Sequence, residues 1–141
     1  MASTQTEHAL GGSRAAAISN HVVHTMSEYT GRGPTKARTY VNDDVVTCVL
    51  QDTLTQGERS LVAGDLQDLV RSMRKAYQET MSTELVNGVE AILGRKVSAF
   101  MSDNHISPDV AVDVFVLEPL APAHATTRRG DGGLRRPPAA R

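Results

Sequence analysis

Apolar residues recur every three or four positions across the middle of the chain. Leu66, Leu69, Met73, Tyr77, Met81, Leu85, Val89 and Ile92 form this series. That period is one face of an amphipathic helix, and it predicts a helix over 65–93. Gly94 closes it, with Arg95 and Lys96 beside the negative end of its dipole. Ile18, Val22, Met26 and Tyr29 give a second stripe, predicting a helix from Ala15 to Thr30 with Ser13 as N-cap and Gly31 as stop. Two regions alternate instead. Ala37 to Val41 and Val45 to Leu50 read as strands around an Asn42-Asp43-Asp44 turn, a hairpin whose second strand is the more buried. Val97 to Met101 and Val110 to Leu117 read as a second pair, with the turn at Asp103-Asn104-His105. In the last strand Val110, Val112, Val114 and Val116 share one face, and Ala111, Asp113, Phe115 and Leu117 the other.

Between the pairs, Thr55-Gln56-Gly57-Glu58 has the spacing of a capping box. The Thr55 hydroxyl accepts from the Glu58 N–H, and the Glu58 carboxylate accepts from the Thr55 N–H. A short helix runs from there to Ala63, and Asp65 is placed to cap the long one. The order is αββααββ. It predicts a single α+β domain over 15–118, with a four-stranded, largely antiparallel sheet packed by the long central helix and the N-terminal helix. Residues 1–14 and the Arg/Pro/Ala/Gly-rich stretch 119–141 are expected to be disordered. At about 1.5 Å per residue the long helix measures about 43 Å, more than the ~33 Å width of a body this size. The helix must therefore bend, with Asn87-Gly88 as the weak point, or overhang and pack on a second copy. A homodimer through this helix is the expected assembly.

Composition narrows the function. The chain has 141 residues, 40% of them apolar, but no Trp and few aromatics, so aliphatic residues must build the core. Residues 15–118 carry nine Lys/Arg against fourteen Asp/Glu. An acidic body of this kind opposes a specific nucleic-acid role. The single cysteine, Cys48, rules out an intrachain disulfide and fits a reducing, cytoplasmic setting. No apolar run approaches the ~20 residues of a membrane span, and the N-terminus lacks the basic and apolar regions of a signal peptide.

Taken in order, the landmarks resemble one known family. They are a helix, Gly31-Arg32-Gly33-Pro34, a strand pair, Leu54-Thr55 with Glu58 and Leu61, Arg74, Val97 through Ser102-Asp103, and Phe115-Val116-Leu117. This set resembles the MpsC-type domain family over about residues 15–118. The family takes its name from a subunit of a sodium-linked, membrane-potential-generating system in bacteria. The resemblance implies a cytoplasmic accessory component, peripheral at the inner face of the membrane, beside a membrane protein that handles ions or inorganic carbon. It carries over no catalytic residue and no cofactor.

The residues add one candidate site. Arg32, set between glycines, with Lys36 and Arg38 close in sequence, could bind a small anion or nucleotide. Arg74 lies beside the apolar stripe and is expected to reach inward, either to join that site or to meet a carboxylate such as Asp113. The loop lacks the Gly-Lys-Ser/Thr signature of a P-loop. Arg71 and Lys75 read as a solvated helix face, with Arg71 paired to Asp68. His21, His24 and Glu28 have helical metal-ligand spacing, but no second cluster completes a metal site. Cys48 lies in an apolar strand with no neighbouring base, which suits a buried hydrophobe. The arginines beyond Glu118 would give only weak, salt-sensitive attraction to anionic surfaces. With no nucleophile–base pair evident, the reading is a non-catalytic component that acts by protein binding. The alternative is a stand-alone cytoplasmic sensor of a small anion at the Arg32 loop.

Overall fold

Two hairpins laid side by side make the sheet. The computed structural model describes residues 2–120. Its elements are α1 (Ala2–Thr30), β1 (Lys36–Asn42), β2 (Val45–Gln51), α2 (Gln56–Ala63), α3 (Gln67–Leu93), β3 (Val97–His105) and β4 (Val110–Leu117). The strand order is β1-β2-β4-β3, and every neighbouring pair is antiparallel. This is the expected α+β domain. The first hairpin turns at Asp43, whose φ of 53° is left-handed, a conformation that Asp tolerates.

α1 and α3 cover one face of the sheet. Ile18, Val22 and Met26 from α1 and Met81, Leu85 and Val89 from α3 bury against Val46, Cys48, Leu50, Phe115 and Leu117. Burying aliphatic side chains stabilises by roughly 1.5–3 kcal/mol each, so this layer dominates the fold. The phenyl rings of Phe100 and Phe115 meet at 4.9 Å between centroids. A smaller cluster of Leu54, Val70 and Ile106 lies under α2. β4 is buried at every second residue, and Asp113 falls in the buried set, as its alternation predicts.

Several boundaries differ from the sequence reading. α1 begins at Ala2 and runs through Ser13, which is therefore not a cap. No proline interrupts this stretch, and Gly11-Gly12 is tolerated in a helix at about 1 kcal/mol per glycine. α3 is uninterrupted from Gln67 to Leu93. Gly88 serves close approach and not bending: the His21 ring of α1 occupies the space where a Cβ would stand. The buried line on α3 is Val70, Arg74, Met81, Leu85 and Val89, while Leu66 and Leu69 are 48% exposed. The first turns are rotated because Arg74, not Met73, finds a partner inside. Asp65 takes a left-handed φ of 65°, and Leu66 becomes an N-cap without a side-chain bond. β3 continues past the expected turn to His105. Asn104 and Ser102 both face the core and find polar partners there, which keeps them in the strand. Residues 121–141 lie outside the described residues, and the expectation of a disordered tail falls mostly there.

Candidate functional site

The segment 52–54 leaves β2 and must turn sharply into α2. Asp52 has a φ of 59°, so its neighbours' backbone groups cannot continue the sheet ladder and need other partners. Side chains supply them. Arg32 Nη1 donates to the carbonyls of Asp52 (2.6 Å) and Leu54 (3.1 Å). Arg74 Nη1 donates to the carbonyl between them, that of Thr53, at 3.4 Å. The amide side is held by Asp109, whose carbonyl accepts from Asp52 N at 3.1 Å. Its carboxylate accepts from Leu54 N (3.0 Å) and Thr53 Oγ1 (2.9 Å). Two arginines and one aspartate thus strap three residues of irregular backbone.

Carboxylates complete the charge balance. Arg32 Nη2 pairs with Asp52 Oδ2 at 2.8 Å. Thr35 donates to the same oxygen at 3.0 Å, and Arg59 pairs with Asp52 Oδ1. The Arg32 and Thr35 hydrogen bonds hold the Asp52 carboxyl below its usual pKa of 3.8. Arg74 is 2% exposed and meets Glu58, also 2% exposed, at 3.2 Å. Glu58 is the capping residue of the sequence motif: its Oε1 accepts from Thr55 N at 2.8 Å, and Thr55 Oγ1 accepts from Glu58 N at 3.1 Å. One carboxylate oxygen therefore caps α2 and neutralises Arg74. The other, Oε2, has no hydrogen-bond partner among the described residues. The expected inward partner of Arg74, Asp113, lies deeper. Its Oδ1 accepts from Ser102 Oγ at 2.5 Å. Burial pushes its pKa up from 3.8 to about 6, against the pull of the Ser102 hydrogen bond and the Arg74 charge.

Of the four residues of the sequence-based anion site, Arg32 and Arg74 meet at the 52–54 backbone, their guanidinium nitrogens engaged by their own chain as above. Lys36 and Arg38 lie on β1, whose side chains at 36, 38 and 40 are exposed. They border a groove of about 620 Å³ with Thr35, Tyr40 and Gln51. Asp52 and Asp109 were not singled out from sequence, although an Asp just before a Thr-x-x-Glu box was available as a turn signal. Beside them is a groove of about 630 Å³ walled by Arg59, Val62, Ile106 and Pro108.

Other candidates also find local partners. His24 meets Glu28 at 3.3 Å on the exposed face of α1, while His21 Nε2 contacts the carbonyls of Glu84 (3.1 Å) and Leu85 (3.3 Å). Among the described residues no three His, Cys, Asp or Glu side chains gather as a metal site. Arg71 pairs with Asp68 at 3.1 Å. Cys48 is buried, and desolvation raises its thiol pKa to about 11. Among the described residues no helix is long and apolar enough to cross a membrane.

Residues 11–119 match the family described as "Na+-translocating membrane potential-generating system (MpsC)". The chain belongs to the MpsC family. The match spans both the strapped turn and all four strands, so the landmarks that suggested the family and the fold that carries them coincide. Membership supports a role in a membrane-potential-generating system. Neither the curated proteins nor the solved structures gave a match to the chain.

Proposed function

We propose that this MpsC domain is a non-catalytic accessory component of a membrane-potential-generating system, acting at the cytoplasmic face of the membrane by binding a membrane protein. The observation that carries this reading is the use made of the charged groups. Arg32, Arg74, Glu58 and Asp109 strap the chain's own backbone, which leaves their charge for architecture and not for a substrate. Family membership supplies the setting. The test is genetic and biochemical. Deleting the gene should lower the membrane potential read with a voltage-sensitive dye, and the full chain should restore it. The chain should also sediment with membranes and be released at alkaline pH. An unchanged potential, together with recovery only in the soluble fraction, rejects the reading. The anion-sensor alternative requires Arg32 to exchange two carbonyls and a carboxylate for a ligand, and no observation favours that exchange.

A further inference from the structure

Among the described residues no helix covers the second face of the sheet. Strand register places its side chains in rows that cross all four strands. Arg38, Val49, Val112 and Asp103 form one row. Tyr40, Thr47, Val114 and Met101 form the next. The two inner strands present a centre of half-buried valines, with Val45 40% exposed at its end. Tyr40 at 54% and Met101 at 53% stand on the opposite edge strands. An apolar centre this large on a soluble chain marks an interaction surface.

We infer that this face is closed by a second copy of the chain, sheet against sheet, about a two-fold axis that runs along the strands between β2 and β4. The charges select that axis. Arg38 and Asp103 stand at opposite ends of one row, and neither takes part in an ion pair among the described residues. Rotation about this axis lays β1 of one copy over β3 of the other. Arg38 then faces the partner's Asp103, twice by symmetry, and Tyr40 faces the partner's Met101. The other in-plane two-fold would set β1 on β1, a strand with no acidic residue, and leave Arg38 without a carboxylate to face. Self-complementarity is what an isologous interface requires, and aligned sheets about 10 Å apart are an ordinary packing.

The area is sufficient for a reversible dimer. Four strands about 4.8 Å apart, each seven residues of about 3.3 Å, give roughly 440 Å² per copy in projection. Two copies bury about 900 Å², more once side-chain relief is counted, close to the ~1,000 Å² at which specific interfaces begin. A dissociation constant in the micromolar range fits that size. This assembly differs from one through α3, whose Met81, Leu85 and Val89 are buried within the monomer. It also stands independently of any membrane partner.

Sedimentation velocity on the purified full chain, from about 1 to 200 μM, tests the proposal. The chain should pass from monomer to dimer. Arg38→Asp or Asp103→Arg should each weaken the dimer by about tenfold or more, and the double swap should restore it. Unfolding midpoints of the variants show that they are folded. Tyr40→Cys with Met101→Cys should cross-link into a covalent dimer with a short bis-maleimide, since facing positions on sheets about 10 Å apart are too far for a direct disulfide. Within one copy those positions lie three strands, about 14 Å, apart, beyond the reach of the shortest such reagents. A monomer at every concentration overturns the inference and leaves the face to some other partner. A dimer indifferent to the charge reversals, or one that fails to cross-link, overturns it as well.

Discussion

Asp113 shows what a single buried carboxyl does to the whole stability curve. It faces Ser102 on β3 and Arg74 on α3, and it sits opposite Cys48 on β2. Its pKa is raised in the folded chain, from 3.8 to about 6, so the folded state holds the proton more tightly than the unfolded one. Its effect is most favourable below pH 4, and stability is lost as pH rises from about 4 to 6, by an amount on the order of 2–3 kcal/mol. Denaturant midpoints across that range should show the decline, and Asp113→Asn should abolish it. The Arg74–Glu58 pair is of another kind. Removing one member strands a buried charge, so Arg74→Met should cost about 3–5 kcal/mol. Adding Glu58→Gln keeps the acceptor that caps α2 while removing the charge. The double variant should therefore recover part of the loss, a coupling that urea titration of the full cycle measures. Arg32→Ala should cost about 1–2 kcal/mol through its two carbonyl hydrogen bonds. Phosphate or nucleotide should not shift the unfolding temperature of either form.

Elements were legible where local chemistry decides them. The capping box fixed the start of α2, Gly94 with its φ of 66° ends α3, and period-two alternation named the buried face of β4. What sequence could not supply was the partner of each polar residue. Arg74 was expected to reach inward from beside the apolar series, but only the position of Glu58 across the fold reveals which carboxylate it meets, and that it is buried in place of Met73. Likewise Asn104 reads as a turn residue until Arg74 Nε is seen 3.4 Å from its Oδ1. Gly88 was read as a weak point for the same reason, since the His21 ring that fills its place comes from 67 residues earlier. An exposed helical glycine usually gains up to about 1 kcal/mol on replacement by alanine. Here Gly88→Ala must displace the ring from the Glu84 and Leu85 carbonyls and should destabilise by about 1–2 kcal/mol. In a His21→Ala background the same change should stabilise. Thermal melts of the four proteins decide it.

Across the whole molecule, the order of elements was readable and the pairing of the two hairpins through β2 and β4 was not, because hydrophobic alternation fixes faces and says nothing about neighbours. The surroundings of the four candidate anion-site residues were unreadable for a related reason: closeness in sequence grouped Lys36 and Arg38 with Arg32, and could not say that Arg32 and Arg74 strap backbone while Lys36 and Arg38 stand exposed on β1. The last bonds that tie the described chain into the body are at Glu118, whose N–H donates to the Lys96 carbonyl at 2.8 Å and whose carbonyl accepts from Arg95 at 2.8 Å. A chain ending at Val116 loses the buried Leu117 side chain and should fall by about 3 kcal/mol or more below one ending at Leu120. Cys48 sits at the centre of this body, between β1 and β4 and beneath the helices. A thiol so enclosed can meet a labelling reagent only when the surrounding layers part. Its rate of modification is a built-in clock for that opening, readable by mass spectrometry without altering a single residue.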